Sequence, residues 1–180
     1  MPLAKPALIK RAKKIKLIAM DVDGVLTNGD IVVLQSGEEV KVWNAKDRLA
    51  LTLVRERKIP LLFAWITGRS SNSVAVGASD LGIHHVVQKS AAKRDALEVI
   101  LSARHLTMEE AAFIGDDLID LPAMRAVGFS ACPSDAVEDV RKHANYISTV
   151  AGGRGVVRDV LEFILKAQNQ WDELIKPFLQ

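Results

Sequence analysis

Short apolar segments alternate with helical patterns along most of this 180-residue chain, and this alternation restricts its fold more than any other feature. Strands that alternate with helices form a parallel sheet covered on both faces. The predicted fold is therefore α/β, a Rossmann-like sheet in one domain over 1–180. Strands are predicted at 15–20, 60–66, 84–88, 111–114, 128–131 and 146–147, and helices at 45–57, 70–81, 91–104, 118–126, from about 134, and at 154–168.

A small β-hairpin is predicted after the first strand. Two alternating runs, 30–35 and 38–43, are joined at Ser36-Gly37, which is typical of a tight hairpin turn. The two runs contribute four apolar side chains with two possible partners. These side chains either pack on their own domain or meet a neighbouring subunit: Ile31, Val33, Val40 and Val42.

Charge is nearly balanced, but a quarter of the basic residues precede the first acid, Asp21. The rest of the chain is mildly acidic, which argues against a nucleic-acid-binding body. The basic start is predicted to be a solvated helix, and contact with an anionic partner is the alternative. No apolar run is long enough to span a membrane, and Asp21 and Asp23 interrupt a signal-peptide pattern. With Cys132 as its single cysteine, the chain is interpreted as cytoplasmic.

Two carboxylates, Asp21 and Asp23, follow the first strand, and Gly24 permits a sharp turn. Like charges at a strand end raise each other's pKa. A hard cation such as Mg²⁺ relieves that repulsion, and one aspartate can then act as a nucleophile. The alternative is an Asx turn that leaves the strand.

Three further polar segments follow predicted strands or begin a helix. In Thr67-Gly68-Arg69, a hydroxyl, a flexible backbone and a guanidinium suit a phosphate or carboxylate, although a helix cap with a surface arginine is the alternative. Lys93 lies near a helix start. A lysine there is most often solvated, and only the other three segments make it a candidate for the site. The segment 115–120 carries Asp116, Asp117 and Asp120, which form a hard-metal site or cap the next helix.

In this order the motifs resemble the haloacid dehalogenase superfamily of aspartate-nucleophile phosphatases. With segments 44–47 and 151–155, they look like its 3-deoxy-D-manno-octulosonate 8-phosphate phosphatase family. The resemblance implies that Asp21 attacks phosphorus, and that Asp23 protonates the leaving oxygen and activates water. Mg²⁺ would be held by the Asp21 carboxylate, the Asp23 carbonyl and Asp116, supported by Asp117 and Asp120, and Thr67 and Lys93 would hold the phosphoryl oxygens. Predicted substrate-binding residues are Asn44, Lys46, Asp47, Gly68, Arg69, Lys93 and Arg154.

Many members of the superfamily carry a cap domain, but the spacing here leaves no room for one. The resemblance implies a homotetramer in which neighbouring subunits complete each site, and the hairpins pack together. The segment with Arg154 would reach a neighbour's site, or it is a plain loop before the last helix. The substrate implied is a phosphorylated sugar acid.

Three positions depart from the pattern of that family: Arg48, Thr52 and Gly77 stand where glycine, arginine and arginine are common. The groups for phosphoryl transfer are intact, whereas those expected to recognise the sugar acid are altered, although Arg48 could compensate for a lost arginine. A phosphatase of different or broader sugar-phosphate specificity, and a non-catalytic oligomerisation module, therefore remain alternatives.

Overall fold

A six-stranded parallel sheet, in the order β5-β4-β1-β6-β7-β8, confirms the predicted α/β architecture. The structure is a computed structural model that describes residues 5–180. Strand β1 lies at the centre, between β4 and β6, and is fully buried. The strands of this sheet are β1 Leu17–Met20, β4 Leu62–Ile66, β5 His85–Val87, β6 Ala111–Ile114, β7 Phe129–Cys132 and β8 Tyr146–Ile147; the separate hairpin consists of β2 Val32–Val33 and β3 Glu39–Val40.

Helices cover both faces of the sheet, as predicted. Because side chains alternate along a strand, Ile18 and Met20 of β1 pack into one core, and Leu17 and Ala19 into the other. The first core also takes α1, α2, α3, α7 and α8, and the second takes α4, α5 and α6. The helices are α1 Lys5–Ala12, α2 Ala45–Glu56, α3 Asn72–Leu81, α4 Lys93–Ala103, α5 Leu121–Ala126, α6 Glu138–His143, α7 Val156–Ala167 and α8 Trp171–Ile175.

The hairpin is shorter than predicted, and its apolar face is exposed. Each strand has only two residues, and the pairing aligns Val32 with Val40. The four apolar side chains Ile31, Val33, Val40 and Val42 are 37–71% exposed and join neither core. Because Val33 pairs with Glu39, Ile31 and Val33 lie on the opposite face of the hairpin from Val40 and Val42. The interpretation that they pack on their own domain is therefore wrong for the single chain.

Some helix boundaries differ from those predicted. The helix expected from about residue 134 begins at Glu138, because a turn closed by the Ala136 N–H and the Pro133 carbonyl precedes it. The helix expected over 118–126 begins as a 3-10 helix, Leu118–Asp120, before α5. Helix α8 follows a short turn after α7 and was not predicted.

Two spacings bear on a cap domain. Between β1 and α2 the chain contains the hairpin, and between α4 and β6 it contains a turn and the 3-10 helix Met108–Glu110. Neither connection includes a further folded unit. In the described part, 5–180, no helix combines the length and apolar character needed to cross a bilayer.

Candidate active site

The sequence-predicted catalytic groups converge at the carboxyl edge of the three central strands. Asp21 follows β1, Thr67 follows β4, and Asp116 lies two residues after β6. Since β1 pairs in parallel with both neighbours, these strand ends lie side by side. The Asp21 N–H donates to the Ile114 carbonyl at 3.0 Å, which extends the ladder into the site. Ligands of open α/β sheets bind at this edge.

Lys93 joins the loop after β1 to the loop after β6. Its Nζ lies 2.7 Å from Asp21 Oδ2 and 2.7 Å from Asp120 Oδ1, and the residue is only 1% exposed. Burial alone lowers the pKa of Lys93, but the charges of Asp120 and Asp21 raise it above its usual value. The ammonium therefore stays charged. The other oxygen of Asp21 accepts the Val22 N–H at 2.7 Å, so both oxygens of this carboxylate are oriented.

Three carboxylates form a cluster suited to a divalent cation. Oxygens of Asp21, Asp116 and Asp120 all lie within 4.8 Å of one another. Burial, followed by the charge of Asp120, raises the pKa of Asp21 to about 6, and burial with the same repulsion raises that of Asp116 to about 8. Asp116 Oδ1 is buried and has no hydrogen-bond partner among residues 5–180. Because three carboxylates face the single ammonium of Lys93, the ionised cluster carries two uncompensated negative charges. Its donors fit Mg²⁺.

Asp120 and Asp117 hold the loop after β6. Asp120 Oδ2 accepts the N–H groups of Asp116 at 3.0 Å and of Asp117 at 3.3 Å, while its Oδ1 binds Lys93. Both oxygens of Asp120 are thus engaged, as expected of a supporting group. Asp117 is exposed, and its Oδ1 accepts the Leu118 N–H at 2.6 Å, which makes it the cap of the short helix.

Asp23 forms an ion pair that the sequence analysis missed. Its Oδ1 pairs with Lys41 Nζ, and Lys41 also lies 3.2 Å from Glu39, which pairs with Arg69. The signal was present in the hairpin: if Val40 and Val42 face outward, alternation directs Glu39 and Lys41 inward. The hairpin therefore contributes charged groups to the site as well as an exposed apolar face.

The segment after β4 forms a tight turn beside the site. Thr67 is 2% exposed, and its hydroxyl oxygen accepts the Arg69 N–H at 3.2 Å, which leaves the hydroxyl proton to be donated. The Thr67 carbonyl accepts the Ser90 N–H at 3.0 Å, which joins this turn to the segment that leads to Lys93. Gly68 and Arg69 are exposed at the rim.

The predicted substrate-binding residues of segment 44–47 have other contacts in the structure. Asn44 caps α2 by accepting the Lys46 N–H at 2.9 Å, and it donates to the Gly153 carbonyl at 3.1 Å. Asp47 is buried, and its Oδ1 accepts the Arg158 N–H in the first turn of α7 at 2.7 Å. Burial, opposed by backbone N–H groups, raises the pKa of Asp47 to about 6. Both side chains therefore fix local structure, whereas Lys46 is exposed.

The glycine-rich segment 152–155 packs on the loop after β1 of its own chain. The Gly153 N–H donates to the Val25 carbonyl at 2.9 Å, and a Cβ at Gly152 would overlap the Gly24 carbonyl. Arg154 is exposed and borders a cavity of about 140 Å³ that the outer hairpin residues Val40 and Val42 also line.

Two of the three positions that depart from the family pattern have clear partners in the structure. A Cβ at Gly77 would lie 3.0 Å from the Trp43 indole, which stacks on Trp65 with centroids 5.4 Å apart. The indole therefore fills the space beside Gly77. On α2, Arg48 Nη2 lies 3.6 Å from the Asp80 carboxylate on α3, so its guanidinium has an ion-pair partner.

Fold and site together define a hydrolase of the haloacid dehalogenase-like family. The family's sequence model, described as haloacid dehalogenase-like hydrolase, matches residues 32–160, and the chain belongs to this family. The superfamily resemblance of the motifs is thereby confirmed.

Within that family the chain is similar, in sequence and in structure, to proteins named 3-deoxy-D-manno-octulosonate 8-phosphate phosphatase. It is 38% identical over 168 residues to 3-deoxy-D-manno-octulosonate 8-phosphate phosphatase KdsC of Salmonella typhimurium, covering 93% of this chain and 88% of the relative. The phosphatase of that name from Moraxella catarrhalis, solved with magnesium, phosphate and KDO, superposes with a TM-score of 0.93 at 40% identity, covering 97% of this chain and 99% of the other. The cobalt-bound deoxy-D-mannose-octulosonate 8-phosphate phosphatase of Haemophilus influenzae superposes with a TM-score of 0.88 at 30% identity. The match covers 94% of this chain and 99% of the other.

Proposed function

We propose that this chain is a Mg²⁺-dependent phosphatase that hydrolyses 3-deoxy-D-manno-octulosonate 8-phosphate, or a close sugar-acid phosphate, through an aspartyl-phosphate on Asp21. One observation carries the proposal: the buried Asp21 carboxylate pairs with the Lys93 ammonium and belongs to a cluster of three acids at the centre of the sheet edge. The names of the similar phosphatases support the substrate class.

The reaction would proceed in two displacements at phosphorus. In the first, a carboxylate oxygen of Asp21 attacks phosphorus, and Asp23 donates a proton to the departing sugar oxygen. In the second, Asp23 removes a proton from water as the water oxygen attacks the aspartyl-phosphate. Lys93 and the Thr67 hydroxyl would hold the phosphoryl oxygens, where charge develops in the transition state.

The metal ion would be held by the carboxylates of Asp21 and Asp116 and by the Asp23 main-chain carbonyl, with Asp117 and Asp120 supporting the loop. When bound, it neutralises negative charge on the transferring phosphoryl group. The raised pKa of Asp116 and its unpartnered oxygen support this assignment, because both indicate a carboxylate arranged for a cation.

Recognition of the sugar acid would fall to cations at the rim. Arg69 is exposed there, Lys46 is exposed at the start of α2, and Gly68 leaves the backbone beside Arg69 open. An arginine suits a sugar carboxylate because its planar guanidinium donates two parallel hydrogen bonds. Arg69 would have to exchange Glu39 for the substrate, or bind it through its remaining N–H groups. Asn44 and Asp47 would act indirectly, by fixing α2 and the start of α7.

We also propose a homotetramer in which hairpins of neighbouring subunits cover one another. The exposed apolar residues of the hairpin support this, because a solvent-facing cluster of this kind is typical of an interface. These exposed apolar residues are Ile31, Val32, Val33, Leu34, Val40 and Val42. Arg154 is exposed beside the hairpin and would then meet a neighbour's substrate.

A phosphatase of different sugar-phosphate specificity is the second candidate. The Trp43 indole stands where an arginine would need room beside Gly77, and Arg48 is paired with Asp80. An arginine at position 77 would therefore displace Trp43, and Arg48 would have to exchange Asp80 for a sugar carboxylate.

Phosphate release across a substrate panel tests the proposal. The panel contains the eight-carbon sugar-acid phosphate, its nine-carbon analogue, hexose phosphates and an aryl phosphate, each with and without Mg²⁺. Preference for the eight-carbon compound supports the first candidate, and metal-dependent release from other esters supports the second. Asp21→Asn should abolish release, while Asp172→Asn, on the exposed start of α8, should leave it unchanged. Release from none of them would favour a non-catalytic module.

A further inference from the structure

Lys41 is a buried cation for which the reaction proposed above has no role. It follows β3 of the hairpin, yet its side chain is only 1% exposed. Its Nζ pairs with Asp23 Oδ1 and lies 3.2 Å from Glu39 Oε2. A buried ammonium between two carboxylates is held firmly, because leaving either partner uncompensated is costly. Lys41 therefore gives the Asp23 carboxylate a fixed partner.

The two oxygens of Asp23 have different surroundings. Oδ1 is taken by Lys41, whereas Oδ2 is buried and accepts no hydrogen bond from any residue in the described range, 5–180. A buried carboxylate oxygen without a partner is costly, and such groups recur at sites that await a ligand. Oδ2 is thus the oxygen available to exchange a proton with a reacting group.

Contacts outside the catalytic strands hold Lys41 in place. Arg69 Nε donates to Glu39 Oε1 at 3.0 Å, and the Ser73 hydroxyl donates to the Glu39 carbonyl at 2.9 Å. These contacts join β3 to the turn after β4 and to the first turn of α3. A chain of alternating charges therefore runs from the nucleophile loop to the rim of the site. Its members, in order, are Asp23, Lys41, Glu39 and Arg69.

We propose that Lys41 is a positioning residue for the acid–base step: it holds Oδ1 of Asp23 so that Oδ2 faces the reacting oxygen. The inference rests on the proposed phosphatase function. As the bond between Asp21 and phosphorus forms and the ester P–O bond breaks, the proton of Asp23 Oδ2 passes to the leaving oxygen. In the second step Oδ2 takes a proton from water as the water oxygen bonds to phosphorus and the Asp21–phosphorus bond breaks.

Dependence on the leaving group tests this role. Phenol leaves poorly without protonation, whereas 4-nitrophenol leaves readily, so misplacing the acid should slow the phenyl ester more. For Lys41→Met we expect kcat/KM for phenyl phosphate to fall on the order of 10²-fold and that for 4-nitrophenyl phosphate to fall far less. Lys41→Arg, which keeps a cationic donor, should restore much of the loss on the phenyl ester.

The controls separate positioning from folding. Lys13→Met, at an exposed lysine beyond α1, should leave both esters unaffected. Equal losses of Lys41→Met on the two esters, or no loss, would overturn the inference while leaving the phosphatase proposal intact. If the unaltered protein releases phosphate from neither aryl ester nor the sugar-acid phosphate, the proposed function itself fails. Should Lys41→Met not fold, Glu39→Gln serves instead, and it should show the same selective loss on a smaller scale.

Discussion

Gly24 lies directly against the carboxylate of Asp116, and this contact interlocks the loops after β1 and β6. A Cβ at Gly24 would overlap Asp116 Oδ2 and lie 2.9 Å from Oδ1. Gly24 also has φ +91°, a conformation that other residues rarely adopt. The close approach brings the backbone beside the proposed nucleophile against a proposed metal ligand, so the sharp turn has a functional consequence.

Replacing Gly24 should damage metal binding and stability together. In Gly24→Ala the new methyl group displaces Asp116, so we expect Mg²⁺ affinity and phosphate release both to fall sharply. Gly37→Ala is the matched control, because Gly37 has φ +83° but nothing within 4 Å of a Cβ. That variant should lose only about 1 to 2 kcal/mol of unfolding free energy from backbone strain. Calorimetric Mg²⁺ titration and thermal melting of both variants measure the difference. Equal Mg²⁺ affinity in the two variants would contradict the role of the contact.

Metal-free protein should lose stability as pH rises, because of Asp116. Burial and neighbouring carboxylates raise the pKa of Asp116 from 3.8 to about 8, so the folded state binds more protons than the unfolded chain between these values. Its stability contribution is therefore complete below pH 4 and is lost as pH rises through about 8. We expect Asp116→Asn to melt higher than the unaltered protein at pH 8 without Mg²⁺.

The same ionisation should govern the metal affinity. Mg²⁺ requires the ionised carboxylate, so its binding should tighten between pH 6 and pH 8.5 and release protons. Calorimetry in buffers of different ionisation enthalpy measures that release. Mg²⁺ should raise the melting temperature of the unaltered protein and leave that of Asp116→Asn nearly unchanged. A pH-independent affinity over this range would contradict the raised pKa of Asp116.

Removal of Lys93 should affect both catalysis and folding. Lys93→Met removes a donor to the phosphoryl group, and we expect kcat/KM to fall about 10²- to 10³-fold. The change also leaves Asp21 and Asp120 without their shared cation, which should lower the unfolding free energy by about 3 kcal/mol or more in metal-free protein. Initial rates and chemical denaturation measure the two effects, with Lys13→Met as the control. Full activity in Lys93→Met would remove the lysine from the mechanism.

A charge on the hairpin face should break the assembly. Val42 is 71% exposed on the hairpin, and Val99 is 70% exposed on α4. If the protein forms the proposed tetramer, Val42→Glu should convert it to smaller species and Val99→Glu should leave it whole, because only the first would bury an unpaired carboxylate. Light scattering coupled to size-exclusion chromatography measures the mass of each variant. An unaltered protein that is monomeric, or a tetrameric Val42→Glu, would refute this interface.

The sequence predicted the sheet and the position of its catalytic groups because both depend on local pattern. Strand β6 is apolar throughout and is followed by Gly115, so its bounds were predicted to the residue. Parallel pairing then brings Asp21 and Asp116 to one edge without further information. Boundaries were less accurate where turns decide them: the segment before Glu138 has helical composition, but a turn at Pro133 delays the helix.

The roles of Asn44, Asp47 and Lys41 required the three-dimensional structure. Asp47 accepts the Arg158 N–H across 111 residues of sequence, and Lys41 pairs with Asp23 across 18. No local pattern distinguishes a carboxylate that caps a distant helix from one that binds substrate. Whether a hairpin face is inward or outward likewise depends on how the strand docks on α3.

By itself, then, the sequence determined the alternation of strands and helices, and with it the edge where Asp21, Thr67 and Asp116 meet. These follow from side-chain periodicity and from chain direction, which are local properties. Tertiary structure alone decided which charges are paired, which are buried and which remain unpartnered. Those properties depend on distances between segments far apart in the chain, and the free energy of a charge is set by the groups that surround it.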